Sequence, residues 1–279
     1  MGPYADAVHS VCLVAPTSDE PLRVDPQAAP DGALCPEDQA AVRELHRLLK
    51  EELTNQALWS EGARAEAAAH MDDFTLLRFV RARPDSTSKA LEMFRGAMSY
   101  RSSHGVNQLF RELHPRAPEP LSERQRASRA YYFNGLGGLD RDGAPYFVYR
   151  LGRADLSGFA REPAILALMM EADAVNMETI FRTVRSASAA LGTFVRLRVV
   201  VDLQGYAMST LRHAGIIQAV MKVGPQVFPE GASKVHMYAC SMHAYACMYV
   251  CMYVFPEGAS KVHDTTRHDT TRHDPTRHD

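Results

Sequence analysis

From Pro36 onward the chain switches between stretches with apolar residues three or four apart and stretches with apolar residues two apart. Val42, Leu45, Leu48, Leu49 and Leu53 form a stripe behind Pro36, a residue suited to a first helical turn, and predict one helix. The segment Asp72-Asp73-Phe74-Thr75-Leu76-Leu77-Arg78-Phe79-Val80-Arg81-Ala82-Arg83 predicts a second. Asp72 or Asp73 is its N-cap, and Phe74, Leu77 and Val80 lie along one side. Arg78, Arg81 and Arg83 crowd its C-terminal half, where cations offset the helix dipole, and Pro84 ends it. A third helix, from about 87 to 101, carries Ala90, Leu91, Phe94 and Met98 at helical spacing. Capping and packing alone explain such a hairpin.

The pattern changes after the Pro-rich linker His114-Pro115-Arg116-Ala117-Pro118-Glu119-Pro120. Residues 130–134 and 146–151 read as two strands around a loop containing Asp140-Arg141-Asp142-Gly143. A long helix from about 162 to 190 places Ile165, Met169, Ala172, Asn176, Ile180 and Val184 on one face. Residues 194–203 alternate and then turn wholly apolar at Val199, Val200 and Val201, which predicts a strand buried on both faces. Another helix is expected from about 209 to 223, ended by Gly224-Pro225. The order β-β-α-β-α predicts an α/β fold, with a helical subdomain followed by a mixed sheet flanked by helices.

Composition narrows the function. The 31 Lys and Arg are matched by 33 Asp and Glu, so charge makes no case for nucleic acid. No apolar run approaches the roughly 18 residues that span a bilayer. The short apolar stretch at residues 7–15 has no basic region before it and is interrupted by His9, so no secretion signal is expected; Pro3 and Asp6 speak against myristoylation. Five cysteines without a C-x-x-C pair suit a reduced, cytoplasmic protein. Gly135-Leu136-Gly137-Gly138 precedes a turn and a strand rather than a helix, so it is not read as a dinucleotide loop. Asp140-x-Asp142-Gly143 lacks the further oxygen ligands of a calcium loop. No Ser-His-Asp or Cys-His arrangement has supporting context, and neither an enzyme nor a metal or other cofactor is expected.

The order of residues across residues 72–101 resembles the N-terminal helical signature of the CRAL-TRIO lipid-binding family. There an aspartate precedes Leu-Leu-Arg-Phe and Arg-Ala-Arg, and a following helix ends in an aromatic and an arginine, here Tyr100-Arg101. Four further pieces are similar to that family's lipid-binding domain. They are Leu139-Asp140-Arg141-Asp142-Gly143-Ala144-Pro145, Glu171 in the long helix, Val199-Val200-Val201-Asp202-Leu203-Gln204-Gly205, and Phe228-Pro229-Glu230. The resemblance implies a CRAL-TRIO-like fold, incomplete at its C-terminal end, that binds and transfers a phospholipid such as phosphatidylinositol or another hydrophobic small molecule. It implies a cytoplasmic protein in transient contact with membrane surfaces.

The resemblance also nominates residues. Glu230 matches a glutamate that helps hold an inositol headgroup, and a carboxylate accepts hydrogen bonds from adjacent hydroxyls; a solvated loop glutamate is an equally weighted alternative. Arg81 and Arg83 are candidates for the headgroup phosphate, since guanidinium forks match its oxygens, although helix-end and surface roles outweigh this. Glu171 is expected to pair inside the fold. Phe147, Tyr149, Leu197, Val199 and Val201 are candidate walls of a lipid cavity, with core packing the plainer reading for most. A buried methylene contributes about 0.8 kcal/mol, so two acyl chains of roughly thirty methylenes represent on the order of 25 kcal/mol that a carrier's apolar wall must replace.

The chain then departs from any packed pattern. Val227-Phe228-Pro229-Glu230-Gly231-Ala232-Ser233-Lys234-Val235-His236 recurs unchanged at residues 254–263, after a Met-Tyr-Val-Cys period of the kind a translated ATGT microsatellite produces. Thr-Arg-His-Asp closes the sequence three times at five-residue spacing, a step of about 140° per interval that scatters the imidazoles on a helix. In the family the chain after the aromatic-Pro-Glu supplies a further strand, a gating helix and a headgroup lysine; none of the three is recognisable here. The expected organisation is a disordered lead-in (1–35), a helical subdomain (36–110), a linker (111–127), a partial lipid-binding domain (128–236) and a low-complexity tail (237–279). Two alternatives to lipid transfer stand beside it: a non-transferring scaffold for a protein partner, and a truncated product that does not fold cleanly.

Overall fold

The structure is a computed structural model. It describes residues 35–238 except residues 56, 115–119, 132–133, 140–144, 206–212, 214, 217–223, 225–226 and 231. The expectations for the lead-in, for the loop at 140–143, for most of the helix at 209–223 and for the repeats beyond 238 lie outside the described residues.

The first helix, α1 (Pro36–Thr54), starts where its proline suggested, with the Cys35 sulfur accepting from the Asp38 amide. Val42, Leu45 and Leu49 of its stripe are buried. Next comes α2 (Glu61–Ala69), capped by Ser60, whose buried face is only Ala63 and Ala67; an alanine face is too faint a stripe to read from the sequence. In α3 (Asp73–Ala82) the cap is Asp72: its Oδ1 accepts from the Thr75 amide at 3.0 Å and its Oδ2 from the Thr75 hydroxyl at 2.8 Å. Ser86 caps α4 (Thr87–Ser103), and the Phe94 ring meets Phe79 of α3 edge-on at 5.0 Å. A left-handed Gly105 turns the chain into α5 (Val106–Leu113). These helices share one core, which extends to Phe181, Phe194, Val227 and Phe228 from the second half of the chain.

The strand expected at 130–134 is instead the end of α6 (Glu123–Tyr131) followed by the start of β1 (Asn134–Leu139). The overlooked signal is a capping box. The Ser122 hydroxyl accepts from the Gln125 amide at 3.2 Å, and the Gln125 side chain accepts from the Ser122 amide at 2.7 Å. Gln125 Nε2 also donates to the carbonyls of Glu112, Leu113 and His114, so one glutamine closes α5 and opens α6. The glycine-rich run lies inside β1, where a β-carbon on Gly137 would stand 2.0 Å from the Tyr146 ring.

β1 pairs antiparallel with β2 (Pro145–Tyr149), which is parallel to β3 (Leu197–Asp202), which is parallel to β4 (Ala232–Tyr238); the order is β1-β2-β3-β4. Leu151 ends up in a single 3₁₀ turn (Leu151–Arg153), beyond β2. The crossover from β2 to β3 runs through α7 (Leu156–Arg161) and α8 (Pro163–Leu191), which stops at left-handed Gly192. Two expectations are corrected here. β3 is not buried on both faces: Leu197, Val199 and Val201 are buried, while Arg198, Val200 and Asp202 are half-exposed. The buried face is the one that packs with Met169, Ile180 and Val184 of α8. A further strand does follow Phe228-Pro229-Glu230, because β4 matches Val199 with Val235 and Val201 with Met237. β4 starts inside the first copy of the duplicated decapeptide and runs two residues past it, and its ladder with β3 depends on backbone groups that duplication leaves intact.

Candidate functional site

Phe194 is the centre of a cluster of charges drawn from four parts of the chain. The guanidinium carbons of Arg78, Arg81 and Arg196 lie 4.6, 4.4 and 5.9 Å from its ring centre. Phe194 is fully buried, and so is Arg78.

Arg78 belongs to the apolar run of α3, and among the described residues no carboxylate bonds it. Its Nη1 donates to the Glu230 carbonyl at 2.6 Å and its Nη2 to the Val195 carbonyl at 2.7 Å, with Ser188 Oγ at 3.4 Å. Nε is buried without a partner among the described residues. Burial brings its pKa down to about 9, against the opposing pull of Glu230 and Asp72, so it remains a cation at neutral pH. This one side chain ties α3 to the end of α8, to the approach to β3 and to the turn before β4.

Glu230 stands in that turn with φ 52, alone among the described non-glycine residues in having positive φ. Phe228 is buried against Phe181, at 5.7 Å, and Pro229 is buried. The Glu230 carboxylate accepts from Arg196 Nη1 at 2.8 Å, and both side chains are partly exposed. Arg81 pairs with Asp38 of α1 at 2.7 Å; that bond holds the Asp38 carboxyl below its usual range, although burial opposes it. Arg83 closes α3, donating to the Ala82 carbonyl at 2.6 Å. The structure therefore joins Arg81 to Glu230 through Phe194 and its arginines, and directs this bond of Arg83 back to its own helix end.

The five candidate wall residues share one buried face. Phe147, Tyr149, Leu197, Val199 and Val201 pack with Leu136 beneath α8, and the rings of Phe147 and Tyr149 lie 4.8 Å apart.

A second polar cluster joins the helices to α8. Arg101 of α4 and Glu178 of α8, each 1% exposed, meet at 2.5 and 3.1 Å. Arg101 Nε reaches Glu66 of α2 at 3.0 Å, and Arg182 reaches Glu178 at 2.6 Å. Burial alone would raise the Glu178 carboxyl, yet Arg101 and Arg182 hold it below the ordinary range. Glu171, expected to pair inside the fold, instead bonds Arg124 near the surface, and the interior glutamate is Glu178, two turns further along. Among the described residues no group of three His, Cys, Asp or Glu is placed to hold a metal ion, and no helix is long and apolar enough to cross a membrane.

Sequence reasoning missed Arg196, Ser188 and Phe194 and took Arg78 for a dipole residue. A cation inside the run Leu76-Leu77-Arg78-Phe79-Val80 was a usable signal for Arg78. Nothing in the sequence marks Arg196 over Arg198.

The chain is 25% identical over 236 residues to the SEC14 cytosolic factor of Eremothecium gossypii, covering 80% of this chain and 68% of that protein. It is 26% identical over 173 residues to a CRAL-TRIO domain-containing protein of Saccharomyces cerevisiae, covering 60% of this chain and 54% of the relative. An 86-residue stretch, 31% of this chain, is 29% identical to a phosphatidylinositol/phosphatidylcholine transfer protein of Arabidopsis thaliana and covers 14% of it. No protein-family model matches the chain. The relatives of this chain are thus Sec14 and CRAL-TRIO-domain proteins, at about a quarter sequence identity.

Proposed function

We propose that this chain binds a phospholipid and exchanges it between membranes, with an inositol headgroup held at Glu230 and acyl chains against the sheet. The observation that carries the reading is the state of Glu230. It is held at positive φ by Arg78 and Arg196, which with Arg81 make three guanidiniums against the two carboxylates of Glu230 and Asp38. A carboxylate amid cations suits a ligand that offers hydroxyls and a phosphate together. The name of one relative, a phosphatidylinositol/phosphatidylcholine transfer protein, supports a phospholipid as the ligand. In this reading Arg81 and Arg83 face the phosphate, and Phe147, Tyr149, Leu197, Val199 and Val201 form the apolar wall. Residues 36–110 act as a helical subdomain and residues 128–236 as the lipid-binding domain of a cytoplasmic protein that touches membranes transiently. No covalent chemistry takes part.

Native mass spectrometry of the purified chain, followed by lipid extraction, is expected to give one stoichiometric phospholipid. Glu230→Ala is expected to lower the ratio of phosphatidylinositol to phosphatidylcholine transferred about tenfold, the equivalent of one charge-assisted hydrogen bond. An unchanged ratio sinks the headgroup assignment, and a chain that extracts no lipid sinks the whole reading.

A further inference from the structure

Glu230 is gripped twice, and the two grips do different things. Arg78 holds its main chain through the carbonyl at 2.6 Å, fixing a left-handed backbone that is costly for a residue with a β-carbon. Arg196 holds its side chain through Oε2 at 2.8 Å. Oε1 has no hydrogen bond among the described residues, and the side chain that carries it is 22% exposed. Arg196 is itself seated against Phe194, beside Arg78 and Arg81 on the same ring.

We propose that Arg196 is the positioning residue for Glu230, and through it a determinant of headgroup selectivity; this rests on the headgroup reading given above. By holding Oε2, Arg196 sets the carboxylate in one orientation and leaves Oε1 as a directed acceptor. An unheld glutamate would lose rotamer freedom when the ligand arrived, whereas a held one has lost it already. The matching ligand group is a hydroxyl donor on a polyol. A trimethylammonium has no hydrogen to donate to Oε1, and the neighbouring guanidiniums of Arg78, Arg81 and Arg196 repel its charge. Arg196 acts through Glu230 and does not touch the ligand.

The test uses the full chain and donor vesicles of phosphatidylcholine containing labelled phosphatidylinositol, with both lipids followed into acceptor vesicles. Arg196→Gln is expected to lower the ratio of inositol to choline lipid transferred about tenfold, a change of about 1.4 kcal/mol. Arg196→Lys, which keeps a charged donor, restores most of it. In a Glu230→Gln background, Arg196→Gln adds nothing further. Should Arg196→Gln leave the ratio unchanged while Glu230→Gln lowers it, the positioning role is overturned and the headgroup reading stands. An additional loss in the Glu230→Gln background, or an equal loss of both lipids, also overturns it, since a merely structural arginine behaves that way. If Glu230→Gln itself leaves the ratio unchanged, the headgroup reading fails and the positioning role falls with it.

Discussion

Asp173 lies on the buried side of α8, 5% exposed, and burial alone pushes its carboxyl up from 3.8 to about 7. It has no hydrogen-bond partner among the described residues. Tyr100 of α4 feels the same environment: its phenol is raised first by burial and then by the charge on Asp173. In the unfolded chain the carboxyl titrates at its ordinary value. Below 3.8 both states keep the proton and Asp173 adds no pH dependence. Between 3.8 and about 7 the unfolded chain releases a proton that the folded chain retains, so stability falls as pH rises. The slope is about 1.4 kcal/mol per pH unit, and over about three units it amounts to on the order of 4 kcal/mol. Above about 7 both states are ionised and the penalty is constant. Asp173→Asn removes the titration while keeping the shape, and any cost of burying the amide is independent of pH. Urea denaturation at about pH 5 and about pH 8 should therefore give the variant an advantage over wild type that is about 2–3 kcal/mol larger at the higher pH. The same difference at both values would refute the buried, unpartnered carboxyl.

Other perturbations test the frame that holds the site. Glu178→Gln leaves Arg101 with Glu66 as its remaining carboxylate and is expected to cost about 3 kcal/mol in thermal or urea unfolding, most of it recovered in the Glu178→Gln/Arg101→Met double variant. A neutral single variant would show that the pair holds nothing together. Gly152→Ala puts a β-carbon 2.1 Å from the Gln204 carbonyl oxygen, in backbone that cannot yield, and is expected to cost at least about 2 kcal/mol by the same measurement. Gly96→Ala, where nothing lies within 4 Å, is the matched control and should stabilise α4 by up to about 1 kcal/mol.

What could be read along the chain was whatever local chemistry decides. Asp72 and Pro36 mark helix starts because a cap acts within one turn, and the stripe of α1 marks its buried face because helical period is a property of neighbours. The same locality explains the errors. Ser122 and Gln125 were a legible box left unread, whereas the half-exposed face of β3 follows from where α8 lies, which no run of valines encodes. The candidate site divides in the same way. Glu230, Arg81 and Arg83 could be nominated from motifs, because each stands in a recognisable local string. That Arg78 would bond the carbonyl of a residue 152 positions away, that Arg196 would take the carboxylate, and that Phe194 would gather three arginines on one ring are tertiary facts. Sequence by itself determined the starts of α1 and α3, the α/β class and the acid in the turn. Only the packed structure decided which cations meet that acid, because a buried charge takes whatever partners folding brings within hydrogen-bond reach.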